Sequence, residues 1–141
     1  MKALTLIEVC VSLAIFTLVV VGITSLNTGS LNLFTLTDKR QSAWEALRRQ
    51  AELMHNVGYS TISSGTFIPD NLDPADAAGY IKVNVISVDR LKDVFLSISY
   101  KDKNRIVGED IDLDGRLDMG EDINGNGLLD SPVSVSFSIT N

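Results

Sequence analysis

The sequence predicts an α+β protein in which one long N-terminal helix packs on a small antiparallel sheet. Three observations carry this expectation. No proline interrupts residues 1–66, so a single helix can run far into the chain. Within it, Trp44, Leu47, Ala51 and Met54 recur at spacings of 3, 4 and 3, a helical stripe. Further on, segments 80–88, 94–100 and 133–139 alternate apolar and polar residues, as strands of a half-wetted sheet do.

The chain has 141 residues, enough for one domain after a stem is set aside. Its net charge of −6 is an average over unlike regions. Segment 109–130 holds eight acids against one base, Arg116; the remainder has ten acids and eleven Lys/Arg and is nearly neutral. No basic patch suited to nucleic acid stands out. The sole cysteine, Cys10, excludes an internal disulfide and reads as a small apolar residue.

The helix begins in the apolar run 4–26. Residues 9–26 carry no charge. At about 1.5 Å per residue the run is about 27 Å long, near the roughly 30 Å hydrocarbon thickness of a bilayer. A secretory signal peptide has a shorter core followed by a small-residue cleavage site, and neither is present. A plain anchor explains the length but not Glu8, a lone carboxylate placed just before the run.

Ala3 followed by LTLIEVCVSLAIF resembles the class III signal of type IV pilins and type II secretion pseudopilins. The match consists of a small residue, a hydrophobic one, Thr-Leu-Ile-Glu and an unbroken apolar helix. TLIEV with SLAIF is nearest to minor pilins and minor pseudopilins. The sequence departs from the family in having Ala rather than Gly before the cut, and a leader of three residues.

The resemblance implies that prepilin peptidase removes residues 1–3 after Ala3 and that Leu4 is methylated. It implies a single pass of the cytoplasmic (inner) membrane with the N-terminus inside, then entry into a periplasmic or extracellular filament. The partners would be the bilayer, an inner-membrane assembly platform and other pilins, met through the N-terminal helix. Glu8 falls at the fifth mature position, where the family pairs it with the Leu4 amine of a neighbouring subunit. A carboxylate in apolar surroundings needs such a partner; alternatively it lies near the headgroups and favours the helix N-terminus through the dipole. Lys2 is nearly balanced by Lys39 and Arg40 beyond the span, so the outward placement of the C-terminal region rests on the resemblance.

The helix should extend over 4–58. Its middle, 22–29, is weak in helix propensity, and in related filaments such a segment unwinds. The second half is amphipathic, with Trp44 and Met54 in the core, Ala43 and Val57 flanking them, and Glu45, Arg48, Arg49 and Glu52 opposite. Glu45 and Arg49 are spaced as an i,i+4 ion pair. Gly58 suits the C′ position that ends a helix. His55 is the single histidine and has no second ligand in sequence. Residues 59–79 contain two of the three prolines and read as a connecting loop, after which 59–141 forms the globular part. The first strand breaks phase at Ile86, which predicts a bulge. The third pairs an apolar face with Ser134, Ser136 and Ser138, predicted to be wet.

Between the second and third strands, the insert 109–131 follows a twelve-residue calcium-loop pattern. Counted from Asp110, oxygen donors fall at places 1, 3, 5, 9 and 12: Asp110, Asp112, Asp114, Asp118 and Glu121. Gly115 is sixth, where the loop turns sharply, and the Arg116 carbonyl is seventh. Twelve residues on, Asp122, Asn124, Asn126, Gly127, the Leu128 carbonyl and Asp130 repeat places 1, 3, 5, 6, 7 and 9. The twelfth place is Val133, so this loop must borrow a closing ligand or bind weakly. The tandem resembles the calcium repeats of dockerins and other extracellular bacterial domains more than paired helical EF-hands. The expected cofactor is Ca2+, one ion in the first loop, with occupancy of the repeat left open, bound at about 10⁻⁴–10⁻³ M as in extracellular modules.

No enzyme is expected. One histidine does not suggest a catalytic set, the phosphate-cradling glycine motif is absent, and the carboxylates are accounted for as calcium ligands. The leading reading is a structural filament subunit. A membrane-tethered calcium-binding or adhesion module that never polymerises is the alternative. A third is a DNA-uptake pseudopilus component, for which Arg90, Lys92, Lys101, Lys103 and Arg105 form the only loose basic cluster.

Overall fold

The structure, a computed structural model, describes residues 6–88 and 90–141, and side chains outside 25–36. Ala3 and Leu4, the expected processing residues, lie outside the described residues. The chain divides into two compact units, Met1–Thr37 and Asp38–Asn141. One helix, α1 (Leu6–Asn56), contributes to both. It is continuous through 22–29, where unwinding in a filament is expected.

In the first unit, Leu6–Thr24 has a mean hydropathy of 2.6 and none of it is buried; it is long and apolar enough to cross a membrane. The two threonine hydroxyls inside this stretch do not oppose apolar surroundings. Thr17 Oγ1 donates to the carbonyls of Leu13 and Ala14 at 3.1 and 2.8 Å. Thr24 Oγ1 does the same to Val20 and Val21 at 3.1 and 2.9 Å. Both polar groups are thus satisfied within the helix, as a hydrocarbon environment requires.

The second unit is an antiparallel sheet with the end of α1 on one face. The strands are β1 (Gly65–Phe67), β2 (Ala77–Ser87), β3 (Leu91–Asp102), β4 (Arg105–Val107) and β5 (Ser134–Thr140). Their order is β1-β2-β3-β4, and β5 also pairs with β3. Because β2 occupies one edge of β3, β4 and β5 share the other, against Tyr100–Asp102 and Leu91–Ser97 respectively. The three predicted strands are present; β2 and β3 are longer than expected, and β5 has the expected length, shifted by one residue. The register shift between Val85 and Ser87 places the bulge at Ile86, as predicted. β1 and β4, of three residues each, were too short to show alternation.

The helix-side face carries Ile81, Val94, Leu96, Ile98 and Tyr100, packed with Ala43, Ala46, Leu47 and Met54 of α1. Trp44 is a correction, being 40% exposed. The buried arc runs through Ala43, Ala46, Leu47 and Met54, where two alanines let the helix lie close to the sheet, and Trp44 falls at its margin. Val57 is likewise exposed. The Glu45–Arg49 pair is also replaced. Arg48 pairs with Glu52 at 3.0 Å, Arg49 reaches Asp70 at 2.9 Å, and Glu45 accepts from Gln41 at 3.1 Å. The helix ends at Asn56, close to prediction, but Gly58 (φ −60, ψ 142) is extended rather than left-handed and starts the 3-10 turn Tyr59–Thr61. His55 stacks on Phe137 with ring centroids 5.0 Å apart. Lys92, of the loose basic cluster, is structural: its Nζ donates to the carbonyls of Tyr59 and Ile62 at 2.7 and 3.0 Å and lies 4.4 Å from the Tyr59 ring centroid.

The other face overturns an expectation. Ser97 and Ser99 of β3, read as part of a wet serine face, are 1% and 2% exposed, and Ala78 and Tyr80 of β2 beside them are also buried. What covers them is the acidic insert.

Candidate metal centre

The insert leaves the sheet after β4 and returns at β5, with no strand or helix of its own. Its conformation comes from carboxylates that take backbone N–H groups. Asp110, 1% exposed, accepts from Asp114 N at 3.2 Å through Oδ1 and from Gly115 N at 2.8 Å through Oδ2. Asp112 Oδ1 accepts from Asp114 N at 3.3 Å and Asp114 Oδ1 from Arg116 N at 2.7 Å. These bonds curl alternate side chains inward, so that oxygens of Asp110, Asp112 and Asp114 lie within 4.8 Å of one another.

Glu121 closes the ring. Its Oε1 accepts from Ile111 N at 2.8 Å and its Oε2 from Asp118 N at 3.1 Å. Asp118 and Glu121 stand outside the close trio of aspartates. Burial raises the Asp110 carboxyl from 3.8 to about 6; the N–H donors of Gly115, Leu113 and Asp114 pull the other way, and the Glu121 charge adds to the rise. A buried carboxylate beside other carboxylates is a group that a cation would stabilise.

The second loop repeats this geometry. Asp122 accepts from Asn126 N at 2.9 Å and Gly127 N at 2.7 Å, as Asp110 does from Asp114 and Gly115. Asn124 Oδ1 accepts from Asn126 N at 3.0 Å, and Asn126 Oδ1 from Leu128 N at 2.8 Å. The fourth and sixth places are left-handed in both loops: Leu113 and Gly115 at φ 60 and 74, Gly125 and Gly127 at φ 73 and 76. Asp130, in ninth place, accepts the side-chain amides of Asn124 and Asn126 at 2.6 and 2.7 Å, which draws places three, five and nine together.

Sequence reading left the twelfth place of this loop open, and the structure fills its position with Glu109. Val133 is fully buried in the core. Glu109 Oε2 accepts from Asp130 N at 3.0 Å, and Glu109 N donates to Asp130 O at 2.9 Å. Glu121 makes the same two bonds to Asp118, at 3.1 and 3.3 Å. The signal was present in the sequence, since Glu109 lies twelve residues before Glu121 and so occupies the same phase of the repeat. Counting only forward missed it.

The carboxylate oxygens of Asp110, Asp112 and Asp114 could hold a metal ion, and an all-oxygen set suits a hard divalent cation. The whole assembly is seated on the sheet. Gly108 lies against the Ser99 side chain, and a Cβ on Gly115 would stand 2.8 Å from the Gly79 carbonyl and 3.1 Å from Thr66. Ser97 Oγ donates to Leu129 O at 2.5 Å and Ser131 Oγ to Ile98 O at 2.6 Å. The Tyr80 hydroxyl is pushed above its ordinary value, first by burial and then by the nearby Asp122 charge.

No protein-family model matches this chain, and no curated protein or solved structure matches it significantly.

Proposed function

We propose that this chain is a structural subunit of the type IV pilin and type II secretion pseudopilin class, a minor pilin or pseudopilin. Its helix resides first in the bilayer and then in a filament. The observation that carries the reading is α1 itself. One continuous helix begins with a wholly exposed apolar stretch, Leu6–Thr24, and ends packed on a sheet. An exposed apolar helix needs lipid or neighbouring helices around it, and the two environments succeed one another in such assembly. Prepilin peptidase would cut after Ala3, and Glu8 in the first turn would meet the new amine of an adjacent subunit.

In the same reading the domain is periplasmic or extracellular and binds Ca2+. Asp110, Asp112, Asp114, the Arg116 carbonyl, Asp118 and Glu121 hold one ion. Asp122, Asn124, Asn126, the Leu128 carbonyl and Asp130 hold a second, with Glu109 closing the loop. The repeated hydrogen-bond pattern supports two sites rather than one. Nothing in this role requires a catalytic group, and nucleic acid is not an expected partner.

The test is N-terminal analysis of the chain recovered from membranes. A mature protein beginning with methylated Leu4, and crosslinking to other pilins, supports the proposal. An intact Met1 with no pilin crosslinks overturns it in favour of a tethered module that does not polymerise. Calorimetry of the full chain in detergent with calcium tests the cation sites separately.

A further inference from the structure

We infer that Asn124 is a self-modification site, deamidated through a cyclic imide with Gly125, and that the neighbouring Asn126–Gly127 step is protected. This stands apart from the cation-binding reading. Segment 122–127, Asp-Ile-Asn-Gly-Asn-Gly, contains two Asn-Gly steps. Glycine has no side chain to obstruct attack by its own backbone nitrogen on the preceding carboxamide.

The fold separates the two steps by what holds each glycine nitrogen. Gly127 N donates to Asp122 Oδ2 at 2.7 Å, so a charge-assisted bond must break before that nitrogen attacks. Gly125 N has no hydrogen-bond partner among the described residues. In the first loop both corresponding nitrogens are held, since Leu113 N and Gly115 N donate to Asp110. Gly125 is the exception of the repeat. Both carboxamides are folded back over the following peptide: Asn124 Oδ1 accepts from Asn126 N at 3.0 Å and Asn126 Oδ1 from Leu128 N at 2.8 Å. The free nitrogen therefore decides which one reacts. Asn124 and Gly125 are exposed, and a Cβ on Gly125 would meet nothing within 4 Å, so a ring has room and water has access.

In the reaction the Gly125 nitrogen bonds to Asn124 Cγ and the Cγ–Nδ2 bond breaks. The Gly125 N–H proton leaves with Nδ2 as ammonia. Water then opens the imide at either carbonyl, giving aspartate or isoaspartate, and no oxidant or cofactor is consumed. The product loses the Nδ2 donor that Asp130 Oδ2 accepts at 2.6 Å and sets two carboxylates against each other there. It also adds a negative charge to segment 109–130, which already holds eight acids and one base. The aspartate form has at its third place the residue type that the first loop has in Asp112.

The test is peptide mapping by mass spectrometry of the full chain aged in detergent micelles with chelator, fragment ions separating Asn124 from Asn126. Denatured chain, in which neither nitrogen is held, is aged in parallel and sets the intrinsic ratio of the two rates. Relative to that ratio, folding should favour Asn124 over Asn126 about tenfold or more, the factor that a hydrogen bond to a charged group imposes. Asp122→Ala, which frees Gly127 N, should raise the Asn126 rate toward that of Asn124. Gly125→Leu, which copies Leu113 at the same left-handed place, should slow Asn124 to the Asn126 rate or below. A ratio that folding leaves unchanged overturns the proposal. So does an Asn124 that stays intact in the folded chain while the denatured chain reacts, or an Asn126 rate that Asp122→Ala does not raise.

Discussion

Glu109 and Asp130 hold each other twice, N–H to carbonyl at 2.9 Å and carboxylate to N–H at 3.0 Å, across 21 residues of sequence. This clasp places a carboxylate where the second loop has Val133 in register. If Glu109 closes that loop, Glu109→Gln should weaken one of two calcium-binding events about tenfold, or about 1.4 kcal/mol, and leave the other unchanged. Glu121→Gln should do the converse. Isothermal calorimetry on the two variants separates them, and an unaltered isotherm for Glu109→Gln would remove it from the site.

Gly115 and Gly127 occupy the same place in the two loops and nearly the same φ, but their surroundings differ. A Cβ on Gly127 meets nothing within 4 Å, whereas one on Gly115 meets the Gly79 carbonyl at 2.8 Å. Gly127→Ala should therefore cost only the left-handed penalty, about 1–2 kcal/mol. Gly115→Ala adds an overpacking cost of about 1–3 kcal/mol. Thermal melts in calcium should rank them in that order.

Asp110 predicts a pH dependence whose sign changes with the cation. In chelator its folded value, about 6, stands above the ordinary 3.8, so the unfolded chain loses this proton first. This group's contribution then falls as pH rises from about 4 to about 6 and is level outside that window. In saturating calcium, protons compete with the cation for the carboxylate, so stability should fall as pH is lowered through the same range. Melting temperatures across the window, with and without chelator, measure both slopes, and Asp110→Asn should abolish the first.

Leu47 and Trp44 test the corrected helix face. Leu47→Ala should cost about 2–5 kcal/mol, as a fully buried leucine does. Trp44→Ala should cost less, about 1 kcal/mol, although it deletes the larger side chain, because part of that ring already faces solvent. Chemical denaturation of the two variants decides the order.

Much of this architecture was legible in the residues. The absence of proline and the stripe through Leu47 and Met54 marked the helix, alternation marked three strands, and the broken phase at Ile86 marked the bulge. What was not legible depended on tertiary partners. Trp44 looked like core because helical periodicity defines a face only to within about one residue. Ser97 and Ser99 looked wet because alternation reports side-chain polarity, whereas their cover comes from a segment some 30 residues away. The convergence of Asp110, Asp112 and Asp114 could be read from local spacing alone. Glu109 was legible only as a residue in phase with Glu121; its clasp on Asp130, at the far end of the insert, is a tertiary contact that spacing does not report.

The shared edge of β3 has a consequence for how such a domain is put together. β4 ends opposite Tyr100 and β5 begins opposite Ser97, so the insert departs and returns only three residues apart along one strand, about 10 Å. A segment spliced in at such a point adds little to the entropy of closing the chain. It can be shortened, lengthened or exchanged without re-threading the sheet. The helix end and strands of this unit therefore form a socket, with the acidic loops seated at one edge of β3.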